Sequence, residues 1–136
     1  MGNQRTHARF SGDIVLDAGA LIALERGDKE LIALMRGALD LECSIVIPAT
    51  VLAQIWRGGS RAAHLARLLD AGEIDAIGEV RAKEMGLRLG ERGASDVVDA
   101  HVVCCAVEFR AAVVTSDPRD MGGLANPDEE LTVIAV

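Results

Sequence analysis

Apolar residues in this chain fall into short unbroken runs, separated by longer stretches in which they recur every three or four positions. Residues 13–16, 43–47, 74–77, 111–115 and 131–136 are the runs, and all read as strands. Strands apolar at successive positions are covered on both faces, unlike the alternating strands of a half-exposed sheet. The intervening stretches read as helices. Asp17 is placed to cap a helix over 18–26, and Gly27 ends it. Asp28 caps the next, where Leu31, Ile32, Leu34, Met35 and Leu39 fall near helical spacing. Pro48 precedes a helix over 49–57, which Gly58 and Gly59 stop; Ser60 is placed to cap a helix over 61–71. A helix over 80–91 carries two glycines and is softer. Ser95 is placed to cap the strongest helix, 96–110. The alternation predicts an α/β fold: a five-stranded parallel sheet flanked by helices on both faces, three layers in all. Residues 1–12 read as a polar tail and 13–136 as one domain without repeats or linkers. The first six residues fit the N-myristoylation pattern, though a plain polar terminus is the simpler reading.

Composition narrows the class. With 136 residues, 50% of them apolar and 26% charged, the chain reads as a single globular domain rather than a disordered one. No apolar run is long enough to span a bilayer, and the polar N-terminus lacks the hydrophobic stretch of a signal peptide. Three cysteines cannot build a disulfide framework, so a reducing cytoplasmic setting is expected. Their spacing does not suit structural zinc. The net charge of −7 argues against a protein that coats DNA. It leaves room for an enzyme that touches RNA locally, because metal sites are themselves acidic. The only aromatic residues are Phe10, Trp56 and Phe109, too few for a platform that stacks single-stranded bases.

In parallel sheets, ligands bind beyond the carboxyl ends of the strands. Two of the runs end in aspartate there: Asp17 follows Leu16, and Asp117 follows Thr115-Ser116. Either alone reads as a helix cap. The helix from Asp96 changes the weighting. It is apolar around nearly its whole circumference, which marks a buried helix, yet Asp96 and Asp99 sit in its first turn. Asp96 alone complements the helix dipole. Asp99 lies deeper among valines, where an unpaired carboxylate needs a cation; Arg92 is the available side-chain partner. Asp17, Asp99 and Asp117, with Asp96 beside them, would converge at one sheet edge. Carboxylates in such company cannot all stay ionised without positive charge. Mg²⁺ or Mn²⁺ supplies it, takes oxygen ligands, and suits phosphodiester hydrolysis.

These residues resemble a known family. Leu16-Asp17-Ala18-Gly19-Ala20-Leu21-Ile22-Ala23-Leu24 looks like the opening motif of PIN-domain ribonucleases. Ser95-Asp96-Val97-Val98-Asp99-Ala100-His101-Val102-Val103 looks like their third acidic motif, and Val113-Val114-Thr115-Ser116-Asp117-Pro118 like the fourth. Within the family the chain looks most like VapC-type toxins. The resemblance implies a divalent-metal site, endonucleolytic cleavage of RNA, a homodimer, and a small antitoxin that occludes the site. It assigns Asp17, Asp99 and Asp117 as the acidic residues, Asp96 as a further metal ligand, and Thr115 and Ser116 as supporting hydroxyls. One position departs. The helix after strand two carries Gln54 where the family has glutamate. Glutamine still offers a neutral oxygen but removes one negative charge, which weakens metal binding.

Other residues read more plainly. His101 is a core or interface histidine before it is a general base. Cys104 and Cys105 are small core residues, and Trp56 is a packing residue. Arg57 and Arg119 are candidates to hold an RNA backbone, with Arg61, Arg88 and Arg92 behind them. Three functions compete. The first is a metal-dependent endoribonuclease. The second is a PIN-like module that binds RNA or protein without cutting, on account of Gln54. The third, a phosphoacceptor receiver, fails because Ala18-Gly19 follow Asp17 and no lysine follows Lys83.

Overall fold

The computed structural model describes residues 12–136, so all but the last residue of the expected tail, and the myristoylation pattern with it, lie outside the described residues. Five strands alternate with seven helices among those residues. They are β1 (Ile14–Leu16), α1 (Ala18–Glu25), α2 (Lys29–Asp40), β2 (Ile45–Pro48), α3 (Ala49–Ile55), α4 (Gly59–Leu69), β3 (Glu73–Asp75), α5 (Glu79–Arg92), α6 (Val97–Phe109), β4 (Ala112–Thr115), α7 (Pro118–Gly123) and β5 (Val133–Ala135). All pairings are parallel and the order is β3-β2-β1-β4-β5. Val15 lies between Val46 and Val113, which sets the central register.

The unbroken apolar runs have the expected consequence. Every residue of β1, β2 and β4 is buried, whereas the edge strands β3 and β5 are half-buried or exposed. Right-handed crossovers from β1 to β2 to β3 put α1–α4 on one face. The return from β3 to β4 puts α5 and α6 on the other, with α7 following them to β5. α6 packs on β1, β2 and β4, and its residues Ala100 to Ala106 are all buried. The chain leaves β1 toward one edge and leaves β4 toward the other. β1 and β4 are neighbours, so their carboxyl ends flank the switch point where such sheets form a crevice.

Several boundaries differ from the sequence reading. α4 starts at Gly59 rather than after Ser60, because Gly58 and Gly59 take positive φ (77° and 73°) and turn the chain directly into the helix. α6 is capped by Asp96, not Ser95. Its Oδ1 accepts hydrogen bonds from the Val98 and Asp99 amides, both at 3.0 Å. A carboxylate placed at the N-cap satisfies two orphan amides at once. The third strand lies at 73–75 rather than 74–77, ending on Asp75.

Candidate functional site

Asp17 leaves β1 as the N-cap of α1. Its Oδ1 accepts from the Ala20 amide at 2.8 Å, and its Oδ2 accepts from the Thr115 hydroxyl. The Thr115 oxygen in turn accepts from the Asp117 amide at 2.9 Å. A single buried hydroxyl at the end of β4 therefore ties the acid ending β1 to the backbone of the acid that follows β4. Asp117 holds the N-cap position of α7, but its side chain makes no capping bond. Its carboxylate is not used up by the helix, as a cap would be. Ser116 is exposed and lies over α1, where a Cβ built on Gly19 would come within 2.1 Å of its Oγ. Only glycine at position 19 lets these two segments approach so closely.

Asp99 joins this group from the first turn of α6. Its carboxyl is pushed up to about 6, first by burial and then by the charges of Asp96, Asp120, Asp17 and Asp117. Five carboxylates thus share one electrostatic environment at the switch point. Asp120 is not among the acids that the sequence singles out. It lies one turn after Asp117 in α7, and its carboxyl is raised above the ordinary value by a hydrogen bond with Asp117 and by that group's charge. The three-residue spacing of Asp117 and Asp120, just after a proline that starts a helix, was the available signal.

Arg92 is not the counter-ion of Asp99. Its Nε donates to the Gly123 carbonyl at 3.1 Å. Among the described residues, no ion pair neutralises any of the five acids. Gln54 is exposed near the end of α3, a helix that packs against α6, and among the described residues no hydrogen bond joins it to the acids. Arg57, just beyond α3, donates to the Ala53 and Trp56 carbonyls at the end of that helix. Arg119 is exposed on α7 beside Asp120. Hard oxygen donors without a countercharge fit a divalent cation of the Mg²⁺ or Mn²⁺ type.

A second cluster lies on the other side of α6. His101 is fully buried, as a core histidine. Its Nδ1 is 2.8 Å from Thr50 Oγ1 and its Nε2 is 2.7 Å from Asp75 Oδ2. Cys105 also donates to Asp75, at 3.2 Å. Arg81 closes the network, bonding Asp75 at 3.1 and 3.3 Å, Glu84 at 2.8 Å and Glu108 at 2.5 Å. Burial alone would raise the Asp75 carboxyl, but hydrogen bonds from Arg81, His101 and Cys105 hold it below its ordinary value. Burial pushes the Cys105 thiol up. Asp75, His101 and Cys105 lie close enough to share an ion. The cluster nevertheless suits none, since Arg81 already neutralises the carboxylate and the thiol keeps its proton.

The PIN domain model matches residues 14–125, most of the chain and every acid described above. The chain belongs to the PIN-domain family. PIN domains are nucleases that generally use divalent metals. No curated protein matches the chain by sequence. Solved structures share the PIN fold with it at low identity. VapBC2 from Rickettsia felis, bound to a DNA fragment from their promoter, aligns with a TM-score of 0.71 at 15% identity, over 91% of this chain and 98% of that one. A toxin–antitoxin complex from Klebsiella pneumoniae aligns at 0.63 and 19%, over 86% and 99%. FitAcB from Neisseria gonorrhoeae aligns at 0.61 and 18%, over 88% and 95%.

Proposed function

We propose that this PIN domain is a divalent-metal-dependent endoribonuclease and the toxin of a toxin–antitoxin pair, acting in the cytoplasm. The observation that carries the reading is the convergence of Asp17, Asp96, Asp99, Asp117 and Asp120 at the switch point, with no countercharge among the described residues. Asp17, Asp99 and Asp117 are assigned as the acids that hold Mg²⁺ or Mn²⁺, with Asp96 and Asp120 adding charge. Bound there, the ion supplies a Lewis acid and an activated water for in-line phosphodiester hydrolysis. Thr115 aims the Asp17 carboxylate and holds the Asp117 backbone. Ser116 offers a further exposed hydroxyl at the crevice. Arg57 and Arg119 are assigned to the RNA backbone. A small antitoxin covering the crevice, which the toxin–antitoxin neighbours support, completes the reading together with a homodimer, which the family resemblance alone implies.

Gln54 favours a second reading, a PIN module that binds RNA or a partner without cutting. Cleavage of structured RNA by the purified protein separates the two. The nuclease cuts with Mg²⁺ or Mn²⁺, stops with EDTA, and is lost in Asp99→Asn. A Gln54→Glu variant tightens metal binding if position 54 faces the ion. Cleavage that survives EDTA overturns the first reading, and binding of RNA without any cleavage supports the second.

A further inference from the structure

The part-buried chain Thr50–His101–Asp75–Arg81 does none of the chemistry assigned to the acids, yet it joins the elements that carry them. Thr50 lies in the first turn of α3, the helix bearing Gln54 one turn later. His101 lies two residues beyond Asp99 on α6, Asp75 ends β3, and Arg81 belongs to α5. The ring is fully buried, and each of its nitrogens has a partner under 2.9 Å. A carboxylate only accepts, so Nε2 carries the hydrogen bonded to Asp75. In the neutral ring, Nδ1 is then the acceptor and Thr50 the donor. Asp75 is itself held from behind by the Arg81 fork, which is anchored by Glu84 and Glu108. One imidazole therefore fixes α6 against the start of α3 on one side and the end of β3 on the other. Apolar packing alone permits a helix to slide or rotate by small amounts. Two short directional bonds on one rigid ring do not.

We propose that His101 is a positioning residue for the acidic site, setting where Asp99 stands relative to Gln54 and the strand-end acids through the Thr50 and Asp75 bonds. The inference rests on the metal-site reading of those acids. Ion sites are sensitive to such support, and losing a partner that orients a ligand typically costs about 10- to 100-fold in affinity or activity.

The test is Mn²⁺ binding to the full chain by calorimetric titration, alongside RNA cleavage. Thr50→Val keeps the shape and removes the donor. His101→Leu removes both ring bonds, and His101→Gln keeps a donor and an acceptor on one amide. Asp28→Ala, which weakens a distant helix cap, is the stability control. Thr50→Val and His101→Leu are expected to raise the Mn²⁺ dissociation constant and lower kcat about tenfold. His101→Gln is expected to recover most of both, and Asp28→Ala to leave both unchanged. In metal-free protein, imidazole nitrogen shifts should show Nε2 protonated, and the Nδ1 signal should move in Thr50→Val. Should His101→Leu fail to fold, Thr50→Val and the wild-type nitrogen shifts still decide the matter. Wild-type Mn²⁺ affinity and kcat in folded Thr50→Val overturn the positioning role while leaving the metal reading intact. A wild-type protein that takes up no Mn²⁺ overturns both.

Discussion

Asp99 carries the tension of the site in one side chain. Its carboxyl titrates near 6 in the folded protein, against about 4 for an unperturbed aspartate. A carboxyl raised by folding costs stability once it must ionise. The cost is absent below about pH 4, grows from about pH 4 to 6, and is complete above that. In metal-free protein, Asp99→Asn should therefore raise Tm at pH 7.5, and the gain should vanish at pH 4. The same substitution removes a proposed ligand and should cut RNA cleavage by more than the ~10- to 100-fold that losing a ligand's supporting partner costs. Thermal melts at both pH values beside a cleavage assay check the pair of effects; a variant less stable at pH 7.5 would show that Asp99 is already paired. Gly19 matters for a different reason. An alanine Cβ there meets Ser116 Oγ at 2.1 Å and its Cβ at 2.8 Å, too close for a rotamer change alone to relieve. Gly19→Ala should cost about 1–3 kcal/mol by overpacking, and Ser116→Gly in the same chain should recover most of it. Calorimetric melts of the single and double variants read this directly.

At the scale of elements, caps and ion pairs decide where helices begin and how they lock together. Asp28 accepts from the Leu31 amide at 2.9 Å and starts α2 away from the acids. Asp28→Ala should cost about 1 kcal/mol without touching cleavage, a shift measurable by urea unfolding. Asp28 and Asp17 were readable as caps because each immediately precedes an apolar period. Asp96 was not, because Ser95 before it is an equally good cap; tertiary packing chose which residue leaves the helix. α5 is held to the loop before β5 by Arg88, which bonds Glu129 at 2.5 and 2.9 Å and the Leu124 carbonyl at 2.9 Å. Both side chains are largely buried, and hydrogen bonding to Arg88 holds the Glu129 carboxyl below its ordinary value. Glu129→Ala strands a buried guanidinium and should cost about 3–5 kcal/mol in denaturant unfolding. That pair spans 41 positions, so no local pattern announces it.

The whole molecule joins two electrostatic regimes around one helix. On one side of α6, acids lack countercharge among the described residues; on the other, Asp75 is bound to Arg81, His101 and Cys105. They should respond oppositely to solution conditions. A cation in the acidic site stabilises the fold by mass action, about 2.7 kcal/mol at a hundred times its dissociation constant. Mn²⁺ should therefore raise Tm at pH 7.5, EDTA should reverse it, and Asp17→Asn should blunt it. A Tm indifferent to Mn²⁺ would remove the ion from the reading. Asp75 and Glu129, both lowered by folding, contribute stability that is full above the ordinary carboxylate range. It is lost only as pH falls through their depressed values. Acid unfolding should accordingly begin below pH 4 and move to higher pH in Glu129→Gln.

Local pattern was enough for the sheet and for three of the acids. Unbroken apolar runs demand burial on both faces, so β1, β2 and β4 follow from adjacency in sequence, and with them the aspartates just beyond β1 and β4. Asp99 follows from a charge set in a helix apolar on nearly all sides. What only the tertiary structure decided are the relations that cross the sheet. These are the Thr115 bridge between Asp17 and Asp117, the arrival of Asp120, the release of Arg92 to Gly123, and the Thr50–His101–Asp75–Arg81 chain. Each joins residues on different elements, and a hydrogen bond's partner is set by distance in space. Sequence spacing reports that distance only within a helix turn or along a strand.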